Sequence, residues 1–225
     1  MTVTPIPLDL TAPGAARALV AELDERGIEI RTLVNNAGVG TYGPFAGEDL
    51  DRITTEITLN VLALTQVTRL LWPQLLAAGN GVLINVASTA AYQPAPYIAV
   101  YAATKAYVRS FGEALWYEAR GTGTRVLTLA PGPARTEFFE AAGSDAFVVG
   151  QELGIGQVID IALRALDRRV PPLSVVTGWR NAFAARLAAF VPRRALVMIA
   201  GRAMRPGPEA PTEPVDEAPS ATGQP

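Results

Sequence analysis

Tyr101 and Lys105 stand four residues apart in the run YAATK, and Ser88 lies thirteen residues upstream of the tyrosine. On a helix, an i, i+4 spacing puts a phenol and an ammonium on one face. A phenol titrates near about 10 and exchanges protons poorly at neutral pH. A neighbouring ammonium favours the phenolate, so Lys105 is expected to draw the Tyr101 pKa down towards a useful range. Ser88 can then hydrogen-bond a substrate carbonyl oxygen while Tyr101 delivers the proton. No side chain supplies a hydride, so a cofactor must. Of the 19 basic residues all but Lys105 are Arg. A compact ammonium with three rotatable donors can serve a phenol and a ribose diol at once, which a rigid guanidinium fork does poorly.

Composition narrows the alternatives. The 225 residues contain no histidine and no cysteine, which excludes Ser-His-Asp and Cys-His nucleophiles, His or Cys metal sites, haem ligation and disulfides. No metal site is expected. With six Tyr and one Lys, chance alone gives the Tyr-x-x-x-Lys spacing in about three sequences in a hundred. Taken singly, the pair reads equally well as an amphipathic surface pair. Ser88 alone reads as a cap residue, and Asn35-Asn36-Ala37-Gly38 and Pro131-Gly132 alone read as turns. Their joint placement is what carries weight.

That placement follows from the elements. Short β-branched runs alternate with longer helical patterns, the signature of a parallel sheet built from βαβ units. Strands are expected near 3–8, 30–35, 81–87, 124–130 and 172–177. Helices are expected at 12–26, 48–78, 101–120 and 154–168, with a terminal helical region at 179–204 interrupted at Pro192. Pro73 should kink or break the second helix, and Pro5 and Pro7 confine the first strand to a sheet edge. Asn35 to Gly38, Ser88 and Pro131-Gly132 each follow a strand, so they gather at the carboxyl end of the sheet, where ligands bind in such folds.

Here the residues resemble the short-chain dehydrogenase/reductase family. LVNNAG at 33–38, Asn60 in ITLNVLALT, INVAS ending at Ser88, YAATK, and LAPGPARTEF with Pro131, Gly132 and Thr136 all match its motifs, as does PLDLT with Asp9 and Leu10. The resemblance implies an α/β fold: a Rossmann-like parallel sheet in a three-layer α/β/α arrangement. It implies NAD(P)(H) as cofactor, with the choice between NAD and NADP open. Tyr101 would be the general acid/base, Ser88 the carbonyl polariser, Lys105 the ribose ligand, and Asn60 the anchor of a proton-relay water. The cofactor would be held by Asp9, Leu10, Asn35, Ala37, Gly38, Pro131, Gly132 and Thr136 together with Tyr101 and Lys105.

The sequence also departs from the family. Its glycine-rich pyrophosphate turn and first two strands have no counterpart, and the first expected strand corresponds to the family's third. Gly38-x-Gly40-x-x-Gly43 is a poor substitute, being already used by the Asn-Asn-Ala-Gly match and followed by Pro44 and Phe45. The expectation is a start codon misassigned by about one βαβ unit, on the order of 50 residues, which the upstream DNA would reveal. The other two outcomes, for the chain as written, are that strand 3–8 moves in beside strand 30–35 or that this edge stays open and the protein is aggregation-prone. Residues 1–205 are expected to form one Rossmann-like domain, incomplete at the N-terminus, and the proline-rich acidic stretch 206–225 a disordered tail.

The leading reading is an NAD(P)-dependent oxidoreductase interconverting a carbonyl and a secondary alcohol. Phe138, Phe139 and Phe147, with Tyr92 and Tyr97, favour an apolar small-molecule substrate, although such aromatics also serve to pack a loop. The alternative is a non-catalytic or cofactor-deficient remnant of the fold acting as an interaction module. A sugar epimerase shares the Tyr and Lys but calls for an extra C-terminal domain. The family implies a homodimer or homotetramer through helices 48–78 and 101–120. From Arg164 to Arg205 there are nine Arg and one acid, Asp167, interleaved with Trp179, Phe183 and Phe190. Such a stretch packs on the domain or a partner subunit, or lies peripherally on a membrane surface. An acidic chain without a nucleic-acid motif argues against nucleic acid. With no signal peptide or membrane span, the default location is the cytoplasm.

Overall fold

The computed structural model describes residues 2–133 and 150–206. Thr136, Phe138, Phe139, Phe147 and residues 207–225 lie outside the described residues. The elements are α1 (Ala15–Glu25), β1 (Thr32–Asn35), α2 (Leu50–Ile57), α3 (Leu64–Ala77), β2 (Val82–Val86), α4 (Ala99–Glu118), β3 (Arg125–Ala130), α5 (Ile155–Leu166), β4 (Ser174–Val176), α6 (Trp179–Ala188) and α7 (Arg193–Ala203). The four strands form one parallel sheet in the order β1-β2-β3-β4.

Burial on both faces explains the near-continuous apolar runs of β2 and β3. Leu83 and Val126 turn one way, into a cluster with Leu75 of α3, Leu115 of α4 and Ala119, which caps that helix. Ile84, Leu127 and Leu129 belong to a second cluster with Ala162, Ala165 and Leu166 of α5. The two-residue period of a strand thus feeds two helical layers, each fully buried Leu or Val contributing about 1.5–3 kcal/mol. In α4 the residues Tyr101, Thr104, Lys105, Val108, Gly112 and Leu115 recur at helical spacing on the buried face. Gly112 is where α4 comes closest to the sheet: a Cβ there would run into the Thr128 hydroxyl of β3. The sequence placed polar and reactive residues on this face together with apolar ones, and the packing keeps all of them inside.

Two expectations are corrected. Residues 3–8 form no strand, because Pro5 and Pro7 have no N–H to give to a ladder. Among the described residues β1 therefore pairs with β2 alone, and Val34 is 50 % exposed on it. Of the kink or break expected at Pro73, the break does not occur: α3 runs on to Ala77, with Leu71 and Leu75 buried on either side of the proline. Their burial outweighs one lost backbone hydrogen bond. The irregularity in this long segment comes earlier, as a π-helical stretch at Thr58–Ala63 between α2 and α3, and it contains Asn60. Such π insertions are frequent at functional sites. The break at Pro192 is as expected, with α6 ending at Ala188 and α7 starting at Arg193.

Candidate active site

A cavity of about 1580 Å³ opens at the carboxyl ends of β1, β2 and β3. Asn36, Gly38, Ser88, Tyr101, Lys105 and Gly132 all line it. Three strand ends and the first turns of α4 therefore converge on one space, as the order of motifs along the chain required. The volume exceeds the usual 300–1,000 Å³ of a small-molecule pocket, because the cavity continues over the sheet face past Val34 and Ile84 to α5.

Tyr101 is 9 % exposed and hydrogen-bonds the Ser88 side chain. Ser88 caps the short 3-10 turn Thr89–Tyr92, its Oγ accepting the Ala90 N–H at 3.1 Å, which fixes the hydroxyl at the end of β2. Lys105, 5 % exposed, donates from Nζ to the Val86 carbonyl at 3.0 Å, and Nζ lies 5.7 Å from the centre of the Tyr101 ring. A lysine with one hydrogen bound to the sheet end keeps two for a ligand.

The electrostatics differ from the sequence expectation. Burial pushes the Tyr101 phenol up to about 12, the Ser88 hydrogen bond opposing and the Glu56 carboxylate adding to the rise. Burial likewise pushes Lys105 down to about 8, with Glu56 pulling the other way. The expected depression of Tyr101 by Lys105 is corrected for a physical reason. Nζ is anchored on the Val86 carbonyl and lies 5.7 Å from the centre of the Tyr101 ring, and desolvation of the buried phenolate outweighs what a cation so placed returns.

Asn60 is buried and all its amide groups are engaged. Nδ2 donates to the Val39 carbonyl at 2.8 Å and to Thr104 Oγ1 at 3.1 Å, and Oδ1 accepts the Val39 N–H at 3.0 Å. It thereby fastens the loop after β1 to α4. Gly38 passes close by, and a Cβ there would crowd Asn60 Oδ1 and Lys105 Nζ. Gly132 donates its N–H to Thr177 Oγ1 at 3.2 Å, and a Cβ on it would collide with the Asn181 amide.

Other expected cofactor residues stand apart. The Asn35 side chain donates to Thr68 Oγ1 and to Asn85 Oδ1, both at 2.8 Å, clasping β1 to α3 and β2. Ala37 is not among the cavity-lining residues, whereas Pro131 is. Asp9 is exposed and accepts from the Thr11 N–H and hydroxyl, which lower its pKa, and it does not line the cavity. Leu10 packs against the cluster formed by Ala16, Leu23, Val67 and Leu71. Gly38-x-Gly40-x-x-Gly43 leads into a 3-10 turn at Phe45–Gly47, with no α-helix before Leu50. Of the two aromatic loop residues, Tyr92 lines the cavity but gives its hydroxyl to Ser174 Oγ at 3.1 Å; Tyr97 packs beside Tyr101.

Sequence reasoning missed two site residues. Asn181, in the first turn of α6, accepts the Gln151 N–H on Oδ1 at 2.7 Å. Its Nδ2 donates to the carbonyls of Gln151 and Thr177, both at 2.9 Å, against the cavity wall. The other is Glu56, fully buried on α2. Its only sequence signal was a position four residues before Asn60.

Comparison with known proteins agrees with this geometry. Residues 1–146 match the family model for short chain dehydrogenases. Sulfoacetaldehyde reductase of Chromohalobacter salexigens is 40% identical over 154 residues, 64% of this chain and 60% of that protein. The very-long-chain 3-oxoacyl-CoA reductase of Rattus norvegicus is 38% identical over 109 residues, 47% of this chain and 35% of that protein. The chain thus spans less than two thirds of the length of these relatives. A short-chain dehydrogenase from Sphingobium yanoikuyae, solved in complex with NADPH, superposes with a TM-score of 0.70 at 31% identity, over 81% of this chain and 70% of that one. Sheet order, motif placement and family match together show that the chain belongs to the short-chain dehydrogenase family.

Proposed function

We propose that the protein is an NAD(P)-dependent oxidoreductase interconverting a carbonyl and a secondary alcohol on an apolar small molecule. The observation that carries this is the Ser88–Tyr101 hydrogen bond with Lys105 beside it on one cavity wall. In carbonyl reduction Ser88 orients the substrate oxygen, and the buried Tyr101 phenol gives its proton to that oxygen as negative charge develops. A nicotinamide, when bound, supplies the hydride. The residues present fit its nicotinamide–ribose half: Lys105 retains donors for a diol, and Gly38 and Gly132 leave the wall bare where side chains would intrude. Asn60 and Asn181 act as positioning residues. The relatives named as reductases and the family member solved with NADPH support this reading.

Ala90, Ile98, Leu196, Ile199 and Met204 make the cavity wall apolar near Tyr101, which favours a hydrophobic substrate over a sugar or an acid. The Tyr42 hydroxyl donates to the Met204 carbonyl at 3.0 Å, tying α7 to the loop after β1 and supporting a single domain through residue 205. The test is titration of the full chain with NADH and NADPH, read by nicotinamide fluorescence, followed by a panel of apolar ketones. Saturable micromolar binding with turnover is expected. Absence of binding would favour the rival reading of an interaction module.

The proposal includes two contacts. Exposed Leu62 and Tyr107, on the 58–63 stretch and on α4, suit pairing with a second copy. On α6 and just beyond, Trp179, Phe183, Leu187 and Phe190 form an exposed stripe, with Trp179 75 % and Phe190 85 % exposed. Eight Arg and no acid occur between residues 168 and 205. No helix of the described residues is long and apolar enough to cross a membrane, and this stripe suits peripheral contact with an anionic surface instead. The protein is expected to co-sediment with phosphatidylglycerol-containing vesicles, and Trp179→Ser with Phe190→Ser to weaken partitioning by at least about tenfold. Equal binding of wild type and double variant would rule this contact out.

A further inference from the structure

Glu56 is a wholly buried carboxyl that the proposed reaction does not use. Its Oε2 lies 2.9 Å from Thr41 Oγ1, and the same hydroxyl lies 3.0 Å from Oε2 of the half-buried Glu48. A threonine hydroxyl has one hydrogen, so it can donate to only one of the two carboxyls. Both contacts are satisfied together only when the other carboxyl is protonated and donates to Thr41 Oγ1. The hydroxyl therefore sits between two carboxyls that share a proton, one reaching towards solvent and one inside the protein.

The inner carboxyl lies on α2, which packs against α4, the helix that carries the reactive groups. Glu56 Oε1 is buried with no hydrogen-bond partner. Its charge is felt by both Lys105 and Tyr101 across the junction of α2 and α4. The titratable groups around it are Glu48 from the loop before α2 and Lys105 and Tyr101 from α4; Asp51 and Arg52 of α2 line the same cavity. We propose that Glu48, Thr41 and Glu56 form a carboxyl–hydroxyl–carboxyl proton conduit between solvent and the Lys105 end of the active site.

The proposal rests on the carbonyl-reductase reading for its purpose. In reduction the Tyr101 O–H bond breaks as the alcohol O–H forms, leaving a phenolate that must regain one proton. Lys105 supplies it through an intervening water and becomes the neutral amine. Glu56 carboxylic acid then reprotonates Lys105, again through water because the two groups are not in direct contact, and becomes carboxylate. Thr41 passes its hydroxyl proton to Glu56 and takes one from Glu48, which recharges from water. Each reduction consumes one solvent proton, and oxidation runs the chain in reverse. Burial raises Glu56 to about 7, with the Thr41 hydroxyl opposing, Glu48 adding to the rise, and the Thr41 N–H and Lys105 opposing, so it can hold or release a proton near neutral pH.

Carbon-detected NMR of the full chain with labelled Glu carboxyls and Lys Cε tests the conduit without turnover, and the single lysine gives one assignable signal. One Glu carboxyl should titrate near 7 and vanish in Glu56→Gln. Its midpoint should fall in Glu48→Gln, which removes a repelling neighbour, and rise in Thr41→Val, which removes the stabilising donor. The Lys105 midpoint should fall in Glu56→Gln. A Glu56 midpoint indifferent to both Thr41→Val and Glu48→Gln overturns the chain; an unmoved Lys105 midpoint overturns its link to the site. In turnover, Glu56→Gln should lower kcat by about tenfold with little change in KM and raise the solvent isotope effect, with Glu56→Asp restoring part of the rate. A merely structural Glu56 would leave the isotope effect where it was. If the wild type reduces no carbonyl, the reductase reading fails while the NMR midpoints still decide the conduit.

Discussion

Replacing Tyr101 by Phe is expected to lower kcat for carbonyl reduction by about 10²–10⁴-fold, the usual worth of a positioned proton donor, with nicotinamide binding nearly unchanged. The argument is one of protonation state. Burial pushes the phenol up to about 12, against the pull of its Ser88 hydrogen bond, so at neutral pH Tyr101 holds the proton that reduction needs. Oxidation needs the phenolate. Alcohol oxidation by the wild type should therefore keep climbing as the medium is made alkaline, while reduction does not. The climb should disappear in the Phe variant. Stopped-flow absorbance of the reduced nicotinamide, in both directions and at neutral and alkaline pH, checks the two statements together. Reduction retained within about threefold of wild type would remove Tyr101 from the chemistry.

Lys105→Met should give a protein that is more stable and close to inactive. Burial moves Lys105 from 10.5 to about 8, which corresponds to roughly 3 kcal/mol spent on keeping an ammonium inside the folded chain at neutral pH. Leaving the Val86 carbonyl without its donor costs about 1 kcal/mol, so the expected net gain at neutral pH is about 2 kcal/mol. The pH dependence has a defined sign. The folded pKa lies below the unfolded one, so the penalty is full below about 8 and is relieved as pH rises from about 8 to 10.5. Stability of the wild type should rise across that window, and the rise should be absent from the variant. Glu56 works the other way: its folded pKa of about 7 lies above 4.5, so its contribution is complete below 4.5 and is lost as pH rises through 7. Urea unfolding on either side of the upper window reads the difference. A Met variant less stable than wild type at neutral pH would contradict the argument. Lys105→Arg should recover neither property, because a guanidinium stays charged when buried and its planar fork cannot reproduce the compact ammonium's contacts with the Val86 carbonyl and a diol.

Much of the fold was legible because the sheet imposes its periods on the sequence. Leu83 and Ile84, adjacent and both apolar, announce a strand buried on two faces, and they are found in separate core clusters. The helix carrying Tyr101 and Lys105 was legible from i, i+4 spacing, and Ser88 from its place after a strand. The stretch 3–8 has the β-branched composition of an edge strand, but Pro5 and Pro7 cannot donate to a ladder, and that decides against a strand there. Asn35 illustrates a subtler gap. Its motif position is as the family has it, yet its amide is committed to Thr68 and Asn85, partners 33 and 50 residues away.

The sequence by itself determined which groups could react and which end of the sheet they would share, because residue type and periodicity are local properties of the chain. Only the tertiary structure decided their protonation. Lys105 beside Tyr101 was expected to draw the phenol down, yet the packing of α4 against the sheet removes both from water and drives their pKa values apart, the phenol up to about 12 and the ammonium down to about 8. Glu56 sits on a short helix like many solvated acids, and the approach of α2 to α4 buries it against Thr41 and within reach of the Lys105 charge. Desolvation depends on what surrounds a group from every side, and those surroundings are assembled from residues far apart in the chain.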